Sequence, residues 1–163
     1  SLASMNFLKA KQNIIINGKT GCGKSFLAQA LGNRAIFEGF TVYYIRTSNL
    51  LEEIKLSRID GSYTNLVKRF ARYKLLILDD FGVSPISVDD ATNLFEIIEV
   101  RSQLSSTIIT SQLPVKDWYG YLQNNTVADA ILDRVVHSSH RVEIEGDSLR
   151  AKYSNLDKKF EDN

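Results

Sequence analysis

Gly18-Lys19-Thr20-Gly21-Cys22-Gly23-Lys24-Ser25 follows the spacing G-x-x-x-x-G-K-[ST]. In that pattern a glycine-rich turn presents main-chain N–H groups to nucleotide phosphates, and the lysine and hydroxyl complete the cradle. The flanking residues agree. Asn13-Ile14-Ile15-Ile16-Asn17 is a short β-branched run suited to a strand buried on both faces. Ser25 to Glu38 reads as a helix, with Leu27, Ala28, Leu31 and Ala35 on one side and Gly39 as its stop. Strand, turn and helix in that order aim unpaired N–H groups and the positive end of a helix dipole at an anion.

Outward from this unit, strands and helices alternate. Thr41–Ile45 reads as a second strand, followed by a helix over about Ser48 to Ser57 that Ser48 would cap, with Leu50, Leu51 and Ile54 as its apolar group. In the next helix Tyr63, Leu66, Val67 and Phe70 recur at i, i+3, i+4 and i+7, which puts Lys68, Arg69 and Arg72 on the other face. Leu75–Leu78 is a third strand ending in Asp79-Asp80, and Ser87-x-x-Asp90 has the form of a capping box before a further helix. Thr107–Thr110 and Arg141–Ile144 supply two more strands, with a helix over about Val127 to His137 between them. Five short strands mostly separated by helices predict a parallel sheet covered on both faces, an α/β fold whose ligands sit at the carboxyl ends of the strands. The phosphate turn, Asp79-Asp80 and Ser111-Gln112 all directly follow strands, so one sheet edge gathers them.

That placement assigns roles. Lys24 reaches the β- and γ-phosphates, the amides of Gly21, Cys22 and Gly23 complete the cradle, and Ser25 binds Mg²⁺. Gly18, Thr20 and Phe26 complete the set of nucleotide-binding candidates. Mg²⁺ takes hard oxygen ligands beside the phosphates, and Asp79, at the end of a buried strand, supplies one. Asp80 orients or deprotonates the water that attacks the γ-phosphate. Ser111 and Gln112 are placed to meet the γ-phosphate or that water. Arg134, on the flank of its helix's apolar stripe, either makes a surface salt bridge or serves a neighbouring subunit's nucleotide. Cys22 is expected to take no catalytic part and to be shielded from alkylation by bound nucleotide. Lys55, Arg58, Lys68, Arg69 and Arg72 form either a phosphate-binding face for DNA or a solvated helix surface.

Composition bounds the rest. A chain of 163 residues with 44% hydrophobic content suits one α/β domain. No apolar run of roughly 18 residues and no signal-peptide pattern appears, so a cytoplasmic setting is expected. One cysteine and two histidines give neither an internal disulfide nor a zinc-ligand set. The net charge of +1 hides a split: residues 1–75 carry 12 Lys+Arg against 4 Asp+Glu, and residues 76–163 carry 8 against 15. A basic face can therefore exist on a nearly neutral protein. With Met5 inside it and little sequence ahead of the first strand, the chain is expected to be a piece of a longer protein.

Taken together, the phosphate turn, Asp60-Gly61-Ser62-Tyr63, Leu76–Gly82, Thr110-Ser111-Gln112-Leu113-Pro114 with Trp118, Ala130–Arg134 and Gly146–Arg150 resemble the AAA+ ATPase domain of the IstB/DnaC family of transposition helpers and helicase loaders. The resemblance runs from about Leu2 to Arg150, leaving 151–163 as a C-terminal tail. It implies a P-loop NTPase sheet of order 5-1-4-3-2, ATP-dependent homo-oligomeric assembly on DNA, hydrolysis shared between subunits, and a transposase or replicative helicase as partner. By the same resemblance Gln112 is a first sensor, Arg134 an arginine finger and Arg150 a second sensor. Pro114-Val115-Lys116-Asp117-Trp118 is more similar to IstB than to DnaC. Asp79-Asp80 stands where most AAA+ proteins have Asp-Glu, which implies slow, partner-dependent hydrolysis. The family's N-terminal partner-docking region is expected to lie outside these residues.

Two other readings fit a phosphate turn. A small-molecule P-loop kinase needs an arginine-rich lid, and no such segment is evident; a GTPase needs an Asn-Lys-x-Asp motif, which is absent. A scaffold that binds ATP without hydrolysing it stays open.

Overall fold

Ile14, Ile15 and Ile16 are all fully buried, as a strand with neighbours on both sides and helices on both faces requires. This strand, β1 (Asn13–Gly18), lies in a five-stranded sheet with β2 (Val42–Arg46), β3 (Leu75–Phe81), β4 (Ser106–Ser111) and β5 (Ser139–Ile144). The computed structural model describes residues 2–145. The strand order is β2-β3-β4-β1-β5, the expected 5-1-4-3-2, and every pairing is parallel. β1 pairs Ile15 with Ile109 on one side and with Arg141 on the other.

The helices are α1 (Asn6–Lys9), α2 (Lys24–Phe37), α3 (Thr47–Asp60), α4 (Tyr63–Arg72), α5 (Val88–Arg101), α6 (Trp118–Tyr121) and α7 (Asn125–Ile131). The pleat divides the core between them. Ile14, Ile16, Leu75, Ile77 and Ile108 pack with Phe7, Leu8, Ala28, Leu31 and Ala35 of α1 and α2. Ile15, Leu76, Leu78 and Ile109 face the other way, onto α3, α4, α5 and α7. Alternation along each strand thus fills two cores from one sheet.

Some elements depart from expectation. Ser48 does not cap α3: the helix starts at Thr47, preceded by Arg46, whose side chain makes no capping bond. The Thr47 hydroxyl instead donates to the main-chain oxygen of Asp79 at 3.0 Å, so a tertiary bond fixes the helix start. α7 begins at Asn125, where the Asn124 side chain accepts from the Val127 N–H at 3.1 Å, and it widens into a π-helical turn over Leu132–Val136. α1 was not foreseen. It follows Met5, which is buried in the left-handed region at φ 59° and seats Phe7 and Leu8 against the sheet. The segment Gly146–Arg150 and the tail 151–163 lie outside the described residues.

Arg101 is 2% exposed and ties three elements together. Its guanidinium donates to the carbonyls of Phe70, Tyr73 and Ser106, each at 2.7 Å. Burial lowers its pKa to about 10, so it stays charged at neutral pH.

Candidate nucleotide-binding site

The turn between β1 and α2 is shaped by its glycines. Gly21 and Gly23 adopt φ 78° and 99°, conformations that side chains with a Cβ resist. Gly18 is needed for space: a Cβ there would fall 2.5 Å from Cys22 Sγ and 2.9 Å from the Ile144 carbonyl oxygen. The N-cap of α2 is Gly23, which has no side chain to offer, and among the described residues no side chain bonds the N–H groups of its first turn, which suits them to an anion. Lys24 is 8% exposed and its ammonium donates to the Lys19 carbonyl at 2.9 Å, folded over its own turn. A phosphate oxygen in that position would replace a neutral acceptor with a charged one. Phe26 follows on α2 with its ring largely in solvent. Cys22 departs from expectation: it is 2% exposed, tucked beneath the turn against Gly18, so protein rather than nucleotide covers the sulfur.

The two acids lie at a break in the β3–β4 ladder. Leu78 pairs with Ile109 and Phe81 with Ser111, so Asp79 and Asp80 together oppose Thr110. This β-bulge puts Asp80 at φ 56°, a left-handed conformation found at strained functional positions. The bulge turns the adjacent carboxylates to different places. Asp79, 1% exposed, faces α2, where Ser25 Oγ lies 3.0 and 2.9 Å from its two oxygens. The Thr110 hydroxyl donates to Asp79 Oδ1 and accepts from the Asp80 N–H, and the Tyr44 hydroxyl donates to Asp79 Oδ2. Burial pushes the Asp79 carboxyl up, but the bonds from Thr110, Tyr44, Ser25 and the Asp80 N–H outweigh it and hold the group ionised, below its ordinary range. Asp80 is more open, and its carboxylate is 3.7 Å from Arg46 Nε.

Ser25 and Asp79 fit a Mg²⁺ ion: a hydroxyl and an ionised carboxylate meet beside a phosphate cradle. Among the described residues no group of three His, Cys, Asp or Glu side chains forms a metal cage. Such a pair suits a cation held largely by phosphates and water.

The end of β4 joins the same edge. Gln112 Oε1 accepts from the Thr20 hydroxyl at 2.6 Å, which binds the loop after β4 to the phosphate turn. Asn17 Nδ2 donates to the carbonyls of Ser111 and Leu113 at 3.1 and 2.9 Å and fixes the course of that loop.

Arg134 is elsewhere. It lies in the π-helical turn before β5, and its carbonyl accepts from Asn13 Nδ2 at 3.3 Å, at the opposite end of β1 from the phosphate turn. Its guanidinium pairs with Glu99 and lies over the Phe95 ring, 5.2 Å from the centroid. The basic residues of α3 and α4 divide. Lys55 pairs with Asp90 at 3.3 Å, Arg58 with Glu96 at 2.8 Å and Arg69 with Glu53 at 2.8 Å. Lys68 and Arg72 are exposed and make no ion pair among the described residues. Arg150 lies outside the described residues.

Sequence reasoning missed Tyr44, Arg46, Thr110 and Asn17. Polar residues at the ends of apolar strand runs were the available signal for Asn17 and Thr110. Nothing local marks which carboxylate Tyr44 or Arg46 would meet.

β4 stands between the strand that leads into the phosphate turn and the strand that ends in the acids. With that insertion, fold and site together define a P-loop nucleoside-triphosphate-binding protein of the AAA+ class. Comparison with known proteins narrows this. A family described as IstB-like ATP binding protein matches residues 1–157, and the chain belongs to that family. An insertion-sequence ATP-binding protein of Sinorhizobium fredii is 45% identical over 145 residues, 89% of this chain and 59% of that protein. The ATP-binding protein of insertion sequence IS232 from Bacillus thuringiensis is 37% identical over 149 residues, 91% of this chain and 60% of that one. The chain thus spans about 60% of the length of these curated relatives. Solved structures share the fold. A DnaC helicase loader superposes with TM-score 0.73 at 21% identity over 88% of this chain and 87% of that one. AMPPCP-bound DnaA from Aquifex aeolicus gives 0.74 at 22% identity, over 98% and 49%. No helix among the described residues is long and apolar enough to cross a membrane.

Proposed function

We propose that this chain is the Mg²⁺-dependent ATPase module of a transposition helper, active when copies assemble on DNA. The observation that carries this reading is the meeting of Ser25 and Asp79, 54 positions apart, at 2.9 to 3.0 Å beside a helix start whose N-cap is glycine. Lys24 and the first N–H groups of α2 hold the triphosphate. Mg²⁺ held by Ser25 and Asp79 would neutralise charge on the β- and γ-oxygens. Asp80, turned away from Asp79 by the bulge, orients the attacking water and accepts its proton. Gln112, tethered to Thr20, would contact the γ-phosphate. Arg134 is a strand's length from its own turn, about 16–20 Å for six residues, and so serves the nucleotide of a neighbouring copy. There it would neutralise transition-state charge, an effect of about 10³–10⁵ in rate. Lys68 and Arg72 lead the contact with DNA phosphates, with Lys55, Arg58 and Arg69 drawn in where their ion pairs open. The insertion-sequence relatives favour a transposase over a replicative helicase as partner, and action in the cytoplasm follows from such a role.

The test is ATP hydrolysis over a range of protein concentrations, with and without DNA, for the wild type, Asp80→Asn and Arg134→Ala. Specific activity is expected to rise with concentration and DNA, and to fall at least tenfold in either variant while ATP binding persists. Tight ATP binding without turnover under any condition would make the module a scaffold.

A further inference from the structure

Three hydroxyls converge on Asp79, and they are not equivalent. Ser25 is itself a metal ligand on the proposed reading, so its bond to the carboxylate is lost or shared once a cation enters. Thr110 is fully buried and also accepts from the Asp80 N–H, so it serves both acids. Tyr44 is different. It stands on the edge strand β2, is 38% exposed, and reaches Asp79 Oδ2 through its hydroxyl alone, with Gln29 of α2 and Arg46 also in contact with that hydroxyl. A carboxylate has about four lone-pair directions, and which ones stay open to a cation depends on which the donors occupy.

We infer that Tyr44 is a positioning residue for the metal site: its hydroxyl holds one oxygen of Asp79, and with Thr110 on the other it fixes the plane in which the carboxylate meets Mg²⁺. This rests on the proposed reading of Ser25 and Asp79 as metal ligands. The geometry supports positioning rather than competition. Tyr44 and Thr110 take one oxygen each, while Ser25, the residue next to the phosphate cradle, spans both. The side where Ser25 sits is therefore the side left for the cation. Hydrogen-bond partners of metal ligands act this way, and losing one costs roughly 10–100-fold in metal affinity.

Tyr44→Phe removes the hydroxyl and keeps the ring. Binding of a fluorescent non-hydrolysable ATP analogue is measured while Mg²⁺ is titrated, and again in EDTA; Mn²⁺ binding is followed in parallel by its electron paramagnetic resonance signal. The variant is expected to need about tenfold more Mg²⁺ for half-maximal effect, with wild-type nucleotide affinity in EDTA. An unchanged Mg²⁺ midpoint overturns the role of Tyr44 and leaves the metal reading standing. Equal loss of nucleotide affinity in EDTA also overturns it, since the hydroxyl would then be supporting the phosphate turn. A wild type indifferent to Mg²⁺ and Mn²⁺ overturns both readings together.

Discussion

A methyl group at Gly18 and one at Gly21 meet different physics, although both glycines belong to the same turn. At Gly18 the obstacle is space: the added carbon would overlap Cys22 Sγ and a main-chain oxygen of β5 that cannot move aside. At Gly21 the surroundings are open and the obstacle is the backbone, held at φ 78°. Gly18→Ala is expected to cost about 1–3 kcal/mol, as overpacking does, and to weaken nucleotide binding by displacing Cys22 within the turn. Gly21→Ala is expected to cost about 1–2 kcal/mol of left-handed strain with the packing beneath the turn intact. Urea denaturation and fluorescent-nucleotide binding check both; equal effects on nucleotide binding would mean that conformation alone sets the turn. The glycines and Lys24 were legible from spacing. The burial of Cys22 was not, because only the approach of β5 closes the space beneath the turn.

Among the helices, α5 was the most legible. Ser87 and Asp90 form the capping box that their spacing predicts: Asp90 N–H donates to Ser87 Oγ at 3.0 Å and Ser87 N–H to Asp90 Oδ2 at 3.1 Å. Burial raises the Asp90 carboxyl, but the Ser87 N–H and Lys55 lower it further, leaving it below its ordinary 3.8. A carboxyl lowered by folding stabilises the protein above its unfolded value, and that contribution fades as pH falls through the lower folded value. Ser87→Ala is expected to cost about 1 kcal/mol near neutral pH. Asp90→Asn is expected to destabilise the protein near pH 7 by an amount that shrinks below about pH 4, measured by urea denaturation across a pH series. A penalty independent of pH would assign the loss to shape rather than charge. The bulge in β3 shows the opposite case. Leu75–Leu78 announced a strand ending in two acids, but the extra residue that parts those acids exists only against Thr110 on β4.

For the whole molecule, the decisive relation is between two edges of one sheet. The nucleotide site is built at the carboxyl ends of β1, β3 and β4, whereas Arg134 is bonded to Asn13 at the amino end of β1. If Arg134 acts as the proposed finger, its place at the opposite end of β1 from the cradle requires a neighbouring copy. Mixing Lys24→Ala with Arg134→Ala, each expected to be strongly weakened alone, is then expected to restore a fraction of wild-type ATPase activity, because mixed neighbours join an intact cradle to an intact finger. Absence of any recovery in mixtures shown to co-assemble would remove Arg134 from the shared site. In the proposed assembly, the Glu99 carboxylate that pairs with Arg134 would have to release it.

The phosphate turn, the alternation of strands and helices, the two-sided burial of the central strands and the acids at the end of β3 were all legible from residue order. Each is set by spacing, periodicity or residue type within a few positions. Strand order also agreed with expectation, through the resemblance carried by motifs along the chain. How the pieces act on one another emerged from packing. It gave Tyr44 and Thr110 to Asp79, turned Asp80 aside toward Arg46, tied Gln112 to Thr20, and engaged Lys55, Arg58 and Arg69 in ion pairs while Lys68 and Arg72 stayed exposed. Distance along the chain accounts for the difference. The contacts at the acids join residues far apart in sequence through the register of parallel strands, and the ion pairs join them through the packing of α3 on α4 and α5; no local pattern specifies either.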